Sequence, residues 1–304
     1  MLETRPMKIL LLGGSGFIGI HLASRLARDQ HQVTVLSRRA VGPLGGVGYV
    51  TGNAVTGQGL AEAASGQDAV VYLVGIIRET RGQSFHQAHV EGVANTVAAM
   101  NSSGVTRLIH MSALGARPGT GSRYFETKAE AEELVRSSKL DWTIFRPSLV
   151  FGPGDNFFGT VLKGLVKAPA PFIPQIGDGS FPFRPIWVGD AAEAFAQSLT
   201  NPETIGQAYN LVGPREYTFR ELLLLVRNTL GLHKPLLPVP LVLMDLLVPV
   251  MNLLPFSPIT LDQYKMLKAG NTAEPDAMLK TFRLEWRGLE AELPAILKFR
   301  PINL

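Results

Sequence analysis

The apolar residues in the first half of the chain follow two different spacings. Short, nearly continuous apolar runs, typical of buried strands, alternate with longer stretches in which apolar residues recur every three or four positions, as on one face of a helix. Such an alternation is typical of parallel strands joined by crossover helices. It predicts an α/β protein with a Rossmann-like, doubly wound parallel sheet of about seven strands.

The individual elements follow from this pattern and from the residues that interrupt it. Strands are predicted at 8–12, 32–36, 49–51, 69–74, 107–111, 142–145 and 208–212, and helices from 17 onward and at 60–64, 90–100, 124–137 and 188–199. Beyond 151, turns rich in proline and glycine interrupt the alternation. We therefore predict a Rossmann domain at 7–150 and a smaller substrate lobe at 151–304, with the stretch near 184–212 returning to the sheet.

The first predicted strand runs directly into a glycine-rich turn. In GGSGFIG, Gly13, Gly16 and Gly19 have the spacing G-x-x-G-x-x-G, and Gly14, Gly16 and Gly19 satisfy G-x-G-x-x-G. Glycine can adopt positive φ and lets the backbone approach a ligand, and the N–H groups of the helix that follows favour an anion. The segment predicts a pyrophosphate site, and hence a dinucleotide cofactor, in preference to a turn without a ligand.

The residues at the end of the second strand indicate which dinucleotide is bound. Folds that prefer NAD usually carry a carboxylate here for the adenosine ribose, whereas this chain has Ser37, Arg38 and Arg39. A guanidinium group matches a 2′-phosphate by charge and by its paired donors. We predict a preference for NADP(H); NAD(H) is the alternative, in which the arginines only solvate a loop.

Composition narrows the class of protein. Of the 304 residues, 46% are hydrophobic and 18% charged, and the absence of cysteine excludes disulfides and thiol catalysis. The net charge of +4 comes from scattered basic residues, which does not indicate a nucleic-acid partner. No apolar segment of signal-peptide length precedes Met7, so a cytoplasmic protein is expected, with an oligomeric state that the sequence leaves open.

The segment YFETK carries the candidate chemistry. Tyr124 and Lys128 lie four residues apart at the start of a predicted helix, so their side chains share one face. A nearby ammonium favours the phenolate form of tyrosine, and Tyr124 could then exchange a proton with a substrate oxygen during hydride transfer. His86 and His89, at i, i+3 spacing, are interpreted as a solvated helix face, and no metal site is predicted.

Several of these segments together resemble a known family. GGSGFIG, HMSALGA, YFETK, FRPSLVFGPGD and RPIWVGDAAEA, in this order, resemble the extended and atypical short-chain dehydrogenase/reductases, which include NAD-dependent epimerases and dehydratases. HVEGVANTVAAM, GPGDNFF and PITLDQYKML resemble, more narrowly, the group of the nucleotide-binding accessory subunit of respiratory complex I. The resemblance covers at least residues 7–212.

The resemblance implies roles for individual residues. The expected cofactor contacts, together with the arginine segment above, are Gly13, Gly16, Phe17, Ile18, Gly19, Ser37, Arg38, Arg39, Asn53, Leu73, Val74, Gly75, Tyr124, Lys128 and Pro147. The expected catalytic residues are Tyr124, Lys128 and Ser112. Two positions depart from the family: Asn53 replaces a common aspartate near the adenine, and Ala113 stands where the catalytic serine or threonine usually lies.

An apolar segment near the C-terminus, LLPVPLVLMDLLVPVMNLL at 236–254, is nearly long enough to span a bilayer. Its central Asp245 would cost about 2.5 to 3.5 kcal/mol in a bilayer, and three prolines interrupt it, so we predict no transmembrane span. A core or lobe-packing helix is one interpretation. The other is an apolar wall for a lipid-like or quinone substrate, or a peripheral contact with a membrane surface.

Two classes of function are compatible with these observations. In the first, the protein is an NADP(H)-dependent oxidoreductase or epimerase that acts on a small molecule by Tyr–Lys acid–base chemistry with hydride transfer. In the second, it is a non-catalytic nucleotide-binding accessory or assembly protein linked to respiratory complex I or quinone metabolism.

Overall fold

The computed structural model describes residues 5–39, 46–252 and 259–299. Two compact units divide the chain. The first comprises Met1–Pro147, Gly189–Leu211 and Asp276–Leu284, and the second comprises Ser148–Val188, Val212–Pro275 and Glu285–Leu304. The first unit thus includes a short late segment, 276–284, that the sequence pattern does not predict.

The strands, in chain order, are β1 (Lys8–Leu12), β2 (Gln32–Ser37), β3 (Val47–Thr51), β4 (Ala69–Tyr72), β5 (Arg107–Met111), β6 (Asp141–Pro147), β7 (Val150–Phe151), β8 (Ile173–Ile176), β9 (Pro182–Phe183), β10 (Ile186–Trp187), β11 (Gln207–Leu211), β12 (Tyr217–Thr218) and β13 (Leu236–Val239). The α-helices are α1 (Phe17–Arg28), α2 (Leu60–Ala64), α3 (Gly92–Ser103), α4 (Arg123–Ser137), α5 (Lys163–Lys167), α6 (Val188–Thr200), α7 (Phe219–Thr229), α8 (Leu241–Met251), α9 (Leu261–Ala269), α10 (Asp276–Thr281) and α11 (Leu289–Lys298). Two π-helical turns, Gln87–Glu91 and Phe157–Leu162, and a 3₁₀ turn, Pro202–Thr204, complete the elements.

A seven-stranded parallel sheet forms the centre of the first unit, in the order β11-β6-β5-β4-β1-β2-β3. From β1 the chain moves outward to β3 and then returns to the other side of β1 to form β4. Ligands of doubly wound sheets bind at the carboxyl ends of the two strands where the direction reverses, here β1 and β4. The predicted Rossmann-like architecture is confirmed.

The central strands form because their side chains are apolar on both faces. In β1 every residue after Lys8 is buried, and in β4 all four residues are buried. Sheets covered by helices on both sides require such strands. Helix α1 packs with one face only, through Leu22, Ala23 and Leu26. The apolar residues recur every three or four positions in this segment, as the sequence predicts for such a helix.

Several element boundaries differ from the prediction by one to three residues, and two of these differences involve the loop after β4 and the helix that follows it. Strand β4 ends at Tyr72 and not at 74, because the chain leaves the sheet after the Leu73 N–H donates to the Leu12 carbonyl at 2.8 Å. The helix predicted at 90–100 begins earlier, in the π-helical turn Gln87–Glu91, and continues as α3 to Ser103.

The second unit has its own apolar core and short sheets. Strands β7 and β10 pair in parallel, as do β8 and β13, whereas β9 and β12 pair antiparallel. Phe158, Leu222 and Leu293 are fully buried in this core. Helix α7 begins with a capping box, in which Thr218 and Glu221 each satisfy a backbone N–H of the other.

The apolar segment 236–254 forms two elements. Residues 236–239 form β13 and 241–251 form α8, while 253–254 lie outside the described residues. Val248 is the buried residue of α8, and five large aliphatic side chains of this helix are exposed. Helix α8 is therefore not a core helix, but it packs within the second unit through Val248 and through the bonds of Asp245 with Tyr264 and Lys268 of α9. No helix in the described ranges is long and apolar enough to cross a membrane.

A buried arginine connects several elements of the first unit. Arg107 of β5 is 7% exposed and donates to the Asp141 carbonyl at 2.7 Å, to Thr143 Oγ1 at 2.8 Å and to Thr204 Oγ1 at 2.9 Å. The same guanidinium reaches the Ser198 carbonyl of α6. Burial lowers the pKa of Arg107 to about 10, and the charge is held by neutral oxygens of three neighbouring elements.

Arg107→Met should destabilise the protein because it leaves these buried acceptors without a donor. We expect the free energy of unfolding to fall by about 3 kcal/mol, measured by urea denaturation. Arg28→Met, at an exposed arginine of α1, is the control and should change stability by less than about 0.5 kcal/mol. Equal unfolding midpoints for the two variants would contradict the role of Arg107.

Candidate functional site

The glycine turn after β1 is shaped by steric contacts. Gly13 has φ +85°, and a Cβ there would lie 3.0 Å from the Leu73 carbonyl carbon and the Val74 nitrogen. A Cβ at Gly19 would overlap the Gly13 carbonyl oxygen. These two positions need glycine because the turn, helix α1 and the chain after β4 meet without space for a side chain.

Gly14 has a different role from its neighbours. A Cβ at this position would lie 2.6 Å from a methyl group of Val35 in β2. Gly14 therefore permits packing of the turn against the sheet, whereas Gly16 has as its nearest obstacle the Gly13 oxygen at 3.3 Å. Of the two overlapping glycine patterns, it is the one beginning at Gly13 that includes the residue with positive φ.

The N-terminus of α1 fits an anion. Gly16 is the N-cap, no side chain caps the helix, and the first turn contains no acidic residue. Phe17 and Ile18, at the start of the helix, are half-buried. Backbone N–H groups at an uncapped helix N-terminus favour a phosphate, so the residues that the structure places here fit the pyrophosphate of a dinucleotide.

The residues expected at the adenosine end lie beyond β2 and β3. Ser37 ends β2, its Oγ accepts from the Arg39 N–H at 3.3 Å, and the side chains of Arg38 and Arg39 are exposed. Asn53 follows β3, and its Oδ1 accepts from the Val55 N–H at 3.0 Å. The amide of Asn53 thus already supports a turn of its own backbone.

The chain after β4 brings the nucleotide turn and the predicted catalytic helix together. Leu73 is buried, Val74 is half-buried and Gly75 is exposed. A Cβ at Gly75 would lie 3.2 Å from the Lys128 Nζ and 3.7 Å from the His89 Nε2. Residues 53 positions apart in sequence are therefore neighbours at the carboxyl edge of the sheet.

Lys128 is buried although it carries the charge expected to act on the cofactor. The residue is 2% exposed, and its Nζ donates to the Met111 carbonyl at 3.0 Å. Burial lowers the pKa of Lys128 to about 8, and the carboxylate of Glu132, one helical turn later, acts in the opposite direction. At neutral pH the ammonium form still predominates.

Tyr124 lies one turn before Lys128 and is surrounded by aromatic rings. Its ring contacts His89, Phe85 and Phe125 edge-to-face, with centroids 5.4, 5.8 and 5.5 Å away. Burial raises the pKa of Tyr124 to about 12. The shift is opposite in direction to the lowering expected from a neighbouring ammonium, because desolvation disfavours the phenolate.

The i, i+3 spacing predicts that His86 and His89 lie on a solvated helix face, and for His89 this prediction is wrong. The π-helical turn Gln87–Glu91 carries it, it is fully buried, and His86 is exposed instead. Its Nδ1 lies 2.9 Å from Thr127 Oγ1, and its Nε2 accepts from the Ile76 N–H at 3.4 Å. His89 therefore joins the loop after β4 to the helix of Tyr124.

The hydrogen bonds of His89 indicate which of its two ring nitrogens carries the proton. The Thr127 hydroxyl donates to the Arg123 carbonyl at 2.7 Å, so it accepts from Nδ1–H of His89. Burial, together with the charge of Lys128, lowers the pKa of His89 to about 2. The residue is neutral, and it orients Tyr124 and the Gly75 loop without exchanging protons in the physiological range.

Ser112 and Ala113 follow β5 and are both buried. Burial alone would raise the pKa of Glu132, but the guanidinium of Arg146 and the nearby Ser112 hydroxyl lower it. Arg146 of β6 donates from Nε to Glu132 at 2.7 Å. The Ser112 hydroxyl lies close enough to the Glu132 carboxylate to contribute to this lowering, although no hydrogen bond of normal geometry is formed among the described residues. Ala113 contributes only a methyl group.

Two further buried residues border this region. Pro147 ends β6, and its carbonyl accepts from the Leu114 N–H at 2.9 Å. His110 stacks on Tyr72 with ring centroids 5.7 Å apart, and neither of its ring nitrogens has a hydrogen-bond partner among the described residues. Burial and the charge of Lys128 lower the pKa of His110. Among the residues that the structure describes, no three His, Cys, Asp or Glu side chains are grouped so that they could hold a metal ion.

Comparison with known proteins agrees with this geometry. Residues 13–156 match a family model described as NAD(P)H-binding. The chain is 27% identical over 282 residues to the mitochondrial NADH-ubiquinone oxidoreductase 40 kDa subunit of Neurospora crassa, across 90% of this chain and 73% of that protein. It is 31% identical over 245 residues to a 2-alkyl-3-oxoalkanoate reductase of Stenotrophomonas maltophilia, across 71% of this chain and 73% of the reductase.

The fold also matches solved structures. The UDP-glucose 4-epimerase of Thermus thermophilus, in complex with NAD, superimposes with a TM-score of 0.73 over 96% of this chain and 98% of the epimerase, at 20% identity. The chain belongs to the NAD(P)-binding short-chain dehydrogenase/reductases, and its fold is that of the NAD-dependent epimerases. It is also homologous to subunits of the mitochondrial NADH-ubiquinone oxidoreductase, respiratory complex I. The predicted family is confirmed.

The pKa of Lys128 gives a prediction for stability. It is about 8 in the folded protein and 10.5 in the unfolded chain, so between these values the unfolded chain binds the additional proton. The free energy of unfolding therefore rises with pH in this window, by up to about 1.4 kcal/mol per pH unit. Lys128→Met lacks this contribution, so the stability of the wild type relative to this variant should increase from pH 8 to pH 10.5.

The measurement is chemical denaturation of both proteins across that pH range. Lys139→Met, at an exposed lysine just after the same helix, is the matched control and should give a difference from wild type that does not change with pH. A constant difference between wild type and Lys128→Met would show that the ammonium is not desolvated.

Proposed function

We propose that the protein is an NADP(H)-dependent oxidoreductase that reduces the carbonyl group of a small, apolar molecule. The observation that carries this proposal is the position of the buried Lys128 Nζ beside Gly75, with the half-buried Tyr124 one turn earlier on the same face of α4. A proton donor and a fixed positive charge then lie at the edge of the sheet where the dinucleotide-binding turn is also found.

The protonation states favour reduction. When bound, the nicotinamide cofactor supplies a hydride to the substrate carbon. Tyr124, with a pKa of about 12, is protonated at neutral pH and donates its phenol hydrogen to the carbonyl oxygen. The ammonium of Lys128, held by the Met111 carbonyl, stabilises the phenolate that remains.

The buried polar groups around this pair support it without taking part in proton transfer. Neutral His89 fixes Thr127 on α4 and Ile76 in the loop after β4. Glu132 opposes the effect of burial on Lys128 and so helps to retain its charge. The 2-alkyl-3-oxoalkanoate reductase among the relatives motivates the choice of a ketone with an apolar chain as the substrate class.

NADP(H) is the proposed cofactor because Arg38 and Arg39 are exposed at the end of β2, where no carboxylate is found. Arg38→Ala should weaken NADPH binding by about tenfold, since a charge-assisted contact with the 2′-phosphate is lost, and should leave NADH affinity unchanged. Fluorescence titration with both nucleotides measures the two affinities.

Arg28→Ala, at an exposed arginine in the last turn of α1, controls for the loss of one positive charge. Equal or tighter binding of NADH by the wild type, or an equal loss of both nucleotides in Arg38→Ala, would contradict the preference for NADP(H).

A second function has independent support: a nucleotide-binding accessory or assembly protein in which bound NADP(H) is structural. Ala113 provides no hydroxyl, and the Ser112 hydroxyl lies on the side of Glu132, so a substrate oxygen would receive one donor fewer. The similarity to the complex I subunit of Neurospora crassa, across 90% of this chain, favours the same interpretation.

Replacing Tyr124 by Phe distinguishes the two functions. In an oxidoreductase, Tyr124→Phe should lower turnover by about 10² to 10⁴ with nearly unchanged NADPH affinity, because it removes the proton donor alone. The assay follows oxidation of bound NADPH with a panel of ketones, quinones and nucleotide sugars. Tyr49→Phe in β3 is the matched control. Tight NADPH binding without turnover on any candidate would favour the accessory function.

A further inference from the structure

The loop between β4 and the π-helical turn Gln87–Glu91 forms a small hairpin. The N–H of Thr80 donates to the Gln83 carbonyl at 3.0 Å, and the N–H of Gln83 donates to the Thr80 carbonyl at 3.3 Å. Arg81 and Gly82, at the tip, are exposed. Because the chain leaves this hairpin directly into helical backbone, the contacts that hold the hairpin also determine how the next helix begins.

The helical backbone that leads into the π-helical turn begins at Phe85. The Gln87 side chain accepts from the Ser84 N–H at 2.9 Å, and the Ser84 hydroxyl accepts from the Gln87 N–H at 3.1 Å, which is the reciprocal arrangement of a capping box. The first N–H groups of a helix have no acceptor within it. The N–H of Phe85 donates instead to Glu79 Oε1 at 2.9 Å.

The second carboxylate oxygen of Glu79 contacts a different helix. Its Oε2 accepts from Nη1 of Arg123 at 2.8 Å, and Arg123 is the first residue of α4, directly before Tyr124. The Arg123 side chain is 62% exposed and that of Glu79 is 28% exposed, so the ion pair by itself contributes little to stability. Its consequence is geometric, because one carboxylate joins the starts of two helices.

The two helices joined in this way carry rings that contact one another. Phe85 contacts Tyr124 edge-to-face with centroids 5.8 Å apart, and it stacks on His89 with centroids 5.6 Å apart. The rings of His89 and Tyr124 are 5.4 Å apart. Aromatic contacts of this kind require particular ring separations and angles. A shift of either helix start would therefore displace the Tyr124 ring.

We propose that Glu79 is a positioning residue for Tyr124: by accepting from the Phe85 N–H and the Arg123 guanidinium at once, it fixes the phenol at the carboxyl edge of the sheet. Its effect on turnover rests on the proposed function, in which Tyr124 donates the proton. A displacement of about 1 Å at a reacting group can lower a rate by about 10². The glycine turn after β1 does not depend on this carboxylate, so nucleotide affinity should change less than turnover.

Hydrogen exchange of the full chain, followed by mass spectrometry, tests the two helix starts without requiring turnover. In Glu79→Ala, peptides covering 84–91 and 122–128 should exchange about tenfold faster than in the wild type, because the Phe85 N–H loses a charge-assisted hydrogen bond. Peptides from β1 and β5 should exchange at unchanged rates. Glu79→Gln keeps an acceptor oxygen for Phe85, so exchange in 84–91 should return to within about threefold of wild type.

The second measurement is NADPH oxidation with the same panel of ketones. Glu79→Ala should lower kcat by about tenfold and change NADPH affinity by less than about twofold, and Glu79→Gln should lie between this variant and the wild type. Glu133→Ala, at an exposed glutamate of α4, is the matched control. It should leave both exchange and kcat within about twofold of wild type.

Four results would overturn the proposal: unchanged exchange at both helix starts in Glu79→Ala, faster exchange that extends to β1 and β5, the same changes in Glu133→Ala, or a kcat of Glu79→Ala within about twofold of an active wild type. The proposed function fails in a different way. A wild type that oxidises no NADPH, combined with faster exchange confined to 84–91 and 122–128 in Glu79→Ala, would contradict the proposed function and support the positioning role of Glu79.

Discussion

The arrangement of the candidate active site depends on the buried ammonium group of Lys128. The charge of Lys128 has lost most of its hydration, and the structure compensates with the Met111 carbonyl and the carboxylate of Glu132. Glu132 is held in turn by Arg146 of β6. The positions of α4, β5 and β6 are therefore coupled through the requirement that this charge remain partnered.

Burial, reinforced by the charge of Lys128, keeps the neighbouring histidines neutral. His89 and His110 are both buried near Lys128, and a protonated imidazole there would add a second uncompensated charge. Both stay neutral, which leaves His89 free to act as a hydrogen-bonding connector between Thr127 and Ile76. The two buried histidines near Lys128 are therefore neutral, and the charges of this region are those of Lys128, Glu132 and Arg146.

The two ends of the candidate site depend on different physical constraints. The glycine turn proposed for the nucleotide depends on the close approach of backbone segments, whereas the Tyr124–Lys128 pair proposed for catalysis depends on the loss of hydration around Lys128. At Gly13 and Gly19 the backbone segments approach so closely that any side chain would collide, and the helix N-terminus offers uncapped N–H groups. These features are independent of Tyr124 and Lys128. The geometry of the glycine turn therefore does not depend on whether the residues around Tyr124 support chemistry.

The sequence by itself determined the fold and the nucleotide turn, because both depend on local patterns. Continuous apolar runs predicted the seven strands of the main sheet within two residues, but not the short strands of the second unit, and the glycine spacing predicted the turn after β1. Burial was decided only by the tertiary structure, since it depends on residues distant in sequence. His89 and Thr127 are 38 positions apart, and packing between them turned a predicted surface histidine into a buried one. For the same reason the sequence could not show that the phenol pKa of Tyr124 rises, or that the apolar segment 241–251 stays on the surface: desolvation is a property of the neighbours that the folded chain supplies.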